Sequence, residues 1–268
     1  MLRCLYASVL VGLLQLPGSP SRVFLVPTPE KMAIAFVTTA KGIDTWDGTG
    51  ATTIATGAWN LANTDRLIVV GIRWETDVTI SSVTDTAGNT YSSAVSRLTM
   101  ASSVGYIQVY YTNTTATNAA NVVTATFSAS TTYRTIIAAE YSGATATPLD
   151  VTATGVSVGS ATSVTSGSFT PTETGEVAVA FASHNADGAH DMSAGTNYIL
   201  RDSTFWVAPD PDAEEAGLED RLDAPASAQT ASMSDTTASW WGIIVATFKA
   251  AAVAAGGRPS RLPLLGVG

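Results

Sequence analysis

The stretch Asp65-Arg-Leu-Ile-Val-Val-Gly-Ile-Arg-Trp74 decides the fold class, because it is the first of six similar runs along the chain. The other five are Gly105-Tyr-Ile-Gln-Val-Tyr-Tyr-Thr112, Asn121-Val-Val-Thr-Ala-Thr-Phe127, Tyr133-Arg-Thr-Ile-Ile-Ala-Ala-Glu-Tyr141, Gly175-Glu-Val-Ala-Val-Ala-Phe181 and Trp240-Trp-Gly-Ile-Ile-Val-Ala-Thr-Phe248. All are rich in β-branched and aromatic residues and are bounded by Gly, Asn, Asp or Ser, which is typical of strands and turns. None shows a helical period. We therefore predict an all-β fold, an antiparallel two-sheet sandwich of jelly-roll kind with an extended C-terminal arm.

The 268 residues are sufficient for one large all-β domain with a sizeable core. We predict that this domain spans residues 32–250, because no linker-like stretch separates the strand-like runs, and no repeat of short fixed period is visible. Hydrophobic residues make up 46% of the chain and charged residues only 13%, so Thr, Ser, Asn and Gly must cover much of the surface. Such surfaces are common on proteins outside cells and in assembled particles.

The chain has a formal net charge of −9 and no basic stripe. This balance argues against binding to nucleic acid through phosphate contacts and against binding to an anionic membrane surface. The single cysteine, Cys4, precedes the predicted domain, so that domain contains no disulfide.

Residues 1–31 form a leader outside the predicted domain, and two hypotheses explain it. The first is a secretory signal peptide, with Arg3 as its basic start and Leu5 to Leu16 as an apolar stretch too short to span a membrane. The second is that translation starts at Met32, because Glu30-Lys31 is what a purine-rich ribosome-binding sequence encodes when it is read in frame.

Residues 251–268 form the predicted C-terminal arm, in which Gly256 and Gly257 act as a swivel. One hypothesis is a disordered chain end. The other is a docking arm that lays an extended apolar peptide on a neighbouring subunit. The residues that would make these contacts are Arg258, Leu262, Leu264, Leu265 and Val267.

Two segments contain candidate metal ligands. The run Ser183–Asp191 holds both histidines, and His184 and Asp187 are candidates with His190 and Asp191, although their spacing matches no zinc signature. The run Asp210–Asp220 is the most acidic, with Asp210, Asp212 and Glu214 as candidate calcium ligands. We interpret the first run as a polar turn between strands and the second as a solvated acidic loop, and we predict no cofactor.

Paired carboxylates across a cleft would indicate a glycosidase, and three residues come into consideration. Glu140 lies within an apolar strand, with Asp150 and Glu219 as conceivable partners, but no spacing pairs them, and we expect Glu140 to pair with an arginine such as Arg134. No Ser-His-Asp arrangement, nucleophile elbow or phosphate-binding loop is present, so we predict that the protein is not an enzyme. Most tryptophans and tyrosines belong to the core, and Trp206 is the candidate for stacking on a sugar.

Several motifs resemble those of a known family in their order along the chain. They are Val83-Thr-Asp-Thr-Ala-Gly-Asn-Thr-Tyr91, Ile107-Gln-Val-Tyr-Tyr-Thr112, Ala139-Glu-Tyr-Ser-Gly143, Pro148-Leu-Asp-Val151 and Trp241-Gly-Ile-Ile-Val-Ala-Thr-Phe-Lys249. Together they resemble a family of β-sandwich modules found in tailed-phage virion proteins and in bacterial secreted or cell-surface proteins. The resemblance covers most of residues 65–249, is fairly specific for the fold, and implies no catalytic residues.

The resemblance and the composition lead to two functional hypotheses. The first is a non-enzymatic virion structural protein, a head decoration or tail-associated attachment module that contacts other virion subunits and forms a homo-oligomer. The second is a secreted or cell-surface adhesive module that binds a host-surface glycan.

Overall fold

The structure is a computed structural model, which describes residues 9–13, 23–27, 31–43, 50–185, 191–204 and 214–253; for 9–13, 23–27, 43, 214 and 215 it describes the backbone alone. Nearly all regular structure in these ranges is antiparallel β-sheet, which confirms the predicted all-β sandwich. Within the same ranges, no helix is long and apolar enough to span a membrane.

The strands before residue 143 comprise a leading pair and a first half of the body. The leading pair is β1 (Val9–Leu13) and β2 (Val23–Pro27). The first half contains β3 (Ala35–Ile43), β4 (Ala51–Ala55), β5 (Trp59–Leu61), β6 (Arg66–Trp74), β7 (Ile80–Asp85), β8 (Ser92–Ser93), β9 (Leu98–Thr99), a short 3₁₀ turn (Ala101–Ser103), β10 (Tyr106–Asn113), β11 (Asn118–Asn121), β12 (Val123–Thr131) and β13 (Thr135–Ser142).

The second half follows after one residue, Gly143. Its strands are β14 (Ala144–Val156), β15 (Ala161–Thr165), β16 (Glu176–Asn185), β17 (Ser193–Ala194), β18 (Ile199–Thr204), β19 (Glu214–Ala224) and β20 (Ser232–Ala250). β20 is long because it serves two sheets: its first part pairs with β15 and β17, and its last part pairs with β14 and β16.

The two halves have the same strand order. In the first half the large sheet runs β3-β13-β6-β10-β8, and the small sheet runs β4-β12-β7. In the second half the large sheet runs β14-β20-β16-β19-β18, and β15 and β17 flank the first part of β20. The main strands are those that remain when the short strands β5, β9 and β11 are left out. In each half the large sheet joins the first, last, third and sixth main strands in that order, which is a jelly-roll order. The long period of this repeat, about half the body, explains why no short repeat is visible in the sequence.

The described residues form three apolar cores, which lie between the four layers. The central core joins the two large sheets, with Leu67 and Ile137 on one side and Phe181 and Ile244 on the other. The first outer core lies between the large and small sheets of the first half, around Trp74 and Phe127. The second outer core occupies the same place in the second half, around Trp241 and Met233. Successive residues of β6, β13, β16 and β20 alternate between a central and an outer core, because neighbouring side chains in a strand point to opposite faces.

The large sheets face each other in opposite order. β3 contacts β18 at one edge, β6 contacts β16 in the middle, and β10 contacts β14 at the other edge. The halves are therefore related by an approximate twofold axis that passes through the central core near β6 and β16.

Both described ends of the body lie side by side. Lys31 forms an isolated β-bridge with Ala252, and the backbone N–H of Met32 donates to the carbonyl of Ala251 at 2.7 Å. The Lys31 ammonium also pairs with Glu173. The last residue of the predicted leader and the first residues of the predicted arm are thus attached to the body.

The acidic run Asp210–Asp220 is not a solvated loop over its described part. Residues 214–220 lie in β19, and Ala216 to Asp220 are buried. Ala216 and Leu218 face the central core, so the strand belongs to the large sheet of the second half. The interpretation as a loop was wrong because the run of acids hides the alternation of these two apolar side chains.

Candidate functional site

Glu140 is a structural carboxylate beneath the small sheet of the first half. It is 2% exposed, its Oε2 accepts a hydrogen bond from Nε1 of Trp59 at 3.1 Å, and its Oε1 lies 3.5 Å from Nε of Arg66. Burial raises the pKa of Glu140, while Trp59 and Arg66 act in the opposite direction. The predicted arginine partner was Arg134, but Nη1 of Arg134 donates to the carbonyl of Thr53, and Arg66 takes the role. Arg66 opposes Ser142 across the sheet and reaches Glu140 from the neighbouring strand.

Glu219 lies on the far side of the molecule from Glu140. It alternates with Leu218, which faces the central core, and its Oε2 accepts from the backbone N–H of Gly195 at 2.8 Å in the outer layer. Burial raises its pKa to about 8, and the charge of Asp220 adds to this. Glu140 and Glu219 point away from each other across two sheets about 10 Å apart. They cannot flank one glycosidic bond, for which the carboxyl groups must lie within roughly 10 Å.

Asp150 belongs to a polar cluster at the end of the second half. Its carboxylate accepts hydrogen bonds from the backbone N–H of Thr172 at 2.7 Å and from its hydroxyl at 2.9 Å, and the Lys249 ammonium lies 2.9 Å away. Burial would raise the pKa of Asp150, but these donors outweigh it and lower the pKa to about 2. Asp150 is therefore held as an anion.

Glu176 is a buried carboxyl group with a raised pKa, as functional residues often have, and the sequence analysis did not identify it. It has no exposed surface, and its Oε1 accepts from the backbone N–H of Glu173 at 3.1 Å. Its Oε2 has no donor among the described residues, although the carboxylate of Asp150 and the hydroxyl of Thr247 are close enough to interact with the carboxyl group. Burial and the neighbouring Asp150 raise the pKa of Glu176 to about 7. Between about pH 2 and pH 7 the pair therefore holds one proton, with Glu176 as the acid and Asp150 as the anion. A substrate cannot reach Glu176 without an opening of the fold, because Glu176 has no exposed surface.

His184 lies inside strand β16 and not in a turn. It is fully buried, its ring centroid is 4.3 Å from that of Trp241, and its Nε2 is 3.4 Å from Oδ2 of Asp235. Asp235 follows 51 positions later on the small-sheet part of β20, so no local pattern could indicate it. Asp191 is exposed, and the backbone of Glu214 begins β19.

Several predicted residues lie outside the described residues. These are the candidate metal ligands Asp187, His190, Asp210 and Asp212, the sugar-stacking Trp206, and the arm residues Arg258, Leu262, Leu264, Leu265 and Val267. In the described ranges, no three His, Cys, Asp or Glu side chains gather as a metal site would require.

Most described aromatic residues belong to the cores, as predicted. Trp74 and Trp241 have no exposed surface, and Tyr106 is 9% exposed. Tyr111 differs, because it packs on Phe248 with a centroid distance of 5.5 Å and also lines an open groove. The groove has a volume of about 250 Å³ and lies between β10 and β14, where the edge of the central core opens to the surface. Its lining includes Thr90, Ser92, Tyr111, Asn113, Thr147 and Leu149.

No protein-family model, no curated protein and no solved structure matches this chain.

Proposed function

We propose that this chain is a non-enzymatic structural protein of a phage particle, a head decoration or tail-associated attachment module. It acts through contacts with neighbouring subunits, and it forms a homo-oligomer. Jelly-roll bodies recur in capsid domains, where they serve as rigid building blocks. Here two jelly-roll halves share one core, which makes the block larger and removes any hinge between them.

The observation that supports this proposal best is the position of the two chain extensions. Because Met32 pairs with Ala251 and Lys31 with Ala252, the described residues to which the two extensions are attached lie side by side on the body. The Ala251 N–H also donates to the carbonyl of Gly143, at the junction of the two halves, at 2.8 Å. The arm therefore starts from a rigid base, which reduces the entropy lost when it docks on a neighbour.

The proposed contact combines apolar burial with charge. Leu262, Leu264 and Leu265 would bury their side chains on the next subunit, and Arg258 would meet its acidic surface, since the whole chain carries a net charge of −9. An arm that reaches from each subunit to the next gives a closed ring when the rotation closes.

Two experiments test this role. Mass spectrometry of purified particles from the producing host should detect the chain as a stoichiometric component, and its absence from every particle would refute the virion assignment.

Analytical ultracentrifugation should show an oligomer for the full chain and a monomer for Leu262→Ser/Leu264→Ser/Leu265→Ser, with unchanged melting temperature. The matched control is Ala252→Ser, at the attached base of the arm, which should leave the oligomer intact. An unchanged oligomer in the triple variant would exclude the arm as the contact.

A further inference from the structure

The approximate twofold axis relates the two edges of the central core, but the side chains at these two edges differ. At the edge between β3 and β18, a long side chain closes the core: the guanidinium of Arg201 lies 4.2 Å from the ring centroid of Phe36, and its Nε is 2.8 Å from Oδ2 of Asp220. The cation stacks on an aromatic face and pairs with a buried carboxylate, so this edge is filled by the protein itself.

The register identifies the equivalent positions at the other edge. Asp220 opposes Val179 on β16 and Ile199 on β18, and Tyr111 opposes Val69 on β6 and Ser92 on β8. Val69 and Val179 are equivalent because they lie two residues before Gly71 and Phe181, which face each other near the twofold axis from the corresponding strands β6 and β16. Tyr111 in the first half therefore occupies the position that Asp220 occupies in the second half.

Among the described residues, no long charged side chain closes this second edge as Arg201 closes the first. Ser92 and Ser93 of the short strand β8 correspond to Ile199 and Leu200 of β18, and both serines are exposed. Arg201 lies at the register shift that follows Leu200, and the pairing of β8 contains no matching residue. Leu149 takes the position of Phe36, since it opposes Phe248 as Phe36 opposes the equivalent Tyr141. The groove of about 250 Å³ is lined by Tyr111 and Leu149, the counterparts of the Asp220 and Phe36 side chains that contact Arg201 at the opposite edge.

The chemistry of the lining indicates what this space accepts. Its described lining contains no charged side chain. Hydroxyl groups come from Thr90, Ser92 and Thr147, and the apolar surface comes from Tyr111 and Leu149. An anion or a cation would lose its hydration there without gaining a counter-charge. A purely apolar ligand would leave the hydroxyl groups without partners.

We propose that the groove binds a neutral sugar through one pyranose ring. The C–H face of the ring would lie against Tyr111 and Leu149, while its hydroxyls exchange hydrogen bonds with Thr90, Ser92 and Thr147. Oδ1 of Asn113, on the same face of β10, is buried and has no donor among the described residues, and a sugar hydroxyl supplies one. The volume lies below the roughly 300 Å³ at which pockets for drug-sized ligands begin, which suits a single ring.

The test is a titration of the full chain with N-acetylglucosamine and with the methyl glycosides of glucose, galactose and mannose, followed by ¹H–¹⁵N NMR. At least one sugar should bind with a dissociation constant on the order of 1 mM, and the shifted amides should cluster at residues 90–92, 111–113 and 146–149. The acyclic polyol sorbitol, which has hydroxyls but no ring face, should not bind. Absence of saturation by every sugar at about fifty times that constant would overturn the proposal.

Variants separate this groove from any other surface. Thr147 is exposed on its rim, so Thr147→Trp should fill the groove and abolish the shifts while the melting temperature stays unchanged. The matched control is Thr162→Trp, at an exposed position of β15 in the outer layer, which should bind sugar as the unmodified chain does. Sugar binding that survives Thr147→Trp would refute the assignment.

One alternative occupant is a peptide, and the same spectra identify it. A synthetic peptide of residues 256–268 is added in place of the sugar. If the peptide shifts the groove amides and no sugar does, the groove docks the arm and the sugar proposal is wrong. The proposed assembly role does not depend on this result, because it is read from ultracentrifugation of the arm variants.

Discussion

Gly71 and Phe181 show how single residues allow the two large sheets to approach. Gly71 opposes Val109 and Ile137, and Phe181 opposes Leu218 and Ile244, so the two residues occupy equivalent positions in the two halves. A Cβ atom on Gly71 would lie 2.1 Å from Cδ2 of Phe181. Because the pair lies near the twofold axis, one half must supply the ring and the other the space for it.

The first prediction follows from this contact. Gly71→Ala should lower the free energy of unfolding by about 2–3 kcal/mol, because the added methyl group overpacks the central core. The measurement is equilibrium unfolding in urea. Phe181→Leu in the same chain should recover part of the loss, so that the two substitutions together cost less than their sum. Gly57→Ala is the control, since its nearest contact would be an ordinary 3.6 Å. Equal losses for Gly71→Ala and Gly57→Ala would contradict the packing argument.

At the scale of the element, the turn after β7 is a polar network and not only a reversal of the chain. Oδ1 of Asp85 accepts from the backbone N–H of Asn89 at 2.8 Å, and its Oδ2 accepts from Nδ2 of Asn89 and from the hydroxyl of Tyr91. Oδ1 of Asn89 accepts from the backbone N–H groups of Thr115 and Ala116. Gly88 takes φ +89°, which glycine adopts without strain. The network therefore fixes the loop of residues 114–117 against the turn.

Asn89→Ala is the second prediction. Asn89 is 3% exposed, and its removal takes away the acceptor of the Thr115 and Ala116 N–H groups and a donor to the Asp85 carboxylate, so we expect a loss of about 1–2 kcal/mol in the free energy of unfolding. Hydrogen exchange should accelerate first at these two amides, which a purely global loss would not produce. Asn118→Ala, in the neighbouring strand and more exposed, should cost less than about 1 kcal/mol. Unchanged local exchange in Asn89→Ala would show that the network does not hold the loop.

The turn and the strand β19 mark what the sequence could and could not predict at this scale. The run Asp85-Thr-Ala-Gly-Asn89 predicts a turn because its residues favour one locally. It does not reveal that Asn89 binds a loop 26 residues later. The run Asp210–Asp220, which includes the first part of β19, is interpreted as an acidic loop because local composition dominates that interpretation, whereas the burial of Ala216 and Leu218 comes from packing against the other half of the molecule. Local chemistry predicted the local structure, and distant packing decided burial.

At the scale of the whole molecule, the repeat was hidden because equivalent positions carry different residues. Gly71 matches Phe181, and Tyr111 matches Asp220, so the two halves agree in register and apolar alternation but not in residue type. The candidate sites show the same limit. Asp150 was visible as a lone carboxylate, but its partner Glu176 comes from another strand, and the groove at Tyr111 exists only because two sheets end beside each other.

The buried carboxyl groups determine how the stability of the whole molecule depends on pH. The folded pKa of Glu176 is about 7 and that of Glu219 about 8, against an ordinary value of 4.5. Both groups hold a proton in the folded state over a range where the unfolded chain has lost it, so stability is greatest below pH 4.5 for these two and declines as pH rises through 7 and 8. Asp150, with a folded pKa of about 2 against 3.8, acts in the opposite direction and loses its contribution as pH falls through 2.

The third prediction is a stability maximum near pH 4 to 5 and a decline on the order of 2–4 kcal/mol between pH 5 and 8. Urea unfolding at a series of pH values measures it. Glu176→Gln/Glu219→Gln should flatten the decline, because glutamine keeps the shape and the neutral charge of the protonated acid at every pH. Glu173→Gln is the control, since Glu173 is exposed and its removal should leave the slope between pH 5 and 8 intact. A flat profile in the unmodified chain, or an undiminished decline in the double variant, would show that these carboxyls ionise in the folded state without cost. A decline that the double variant abolishes would mean that two buried protons stabilise the fold, one on Glu176 beside Asp150 and one on Glu219 beside Gly195.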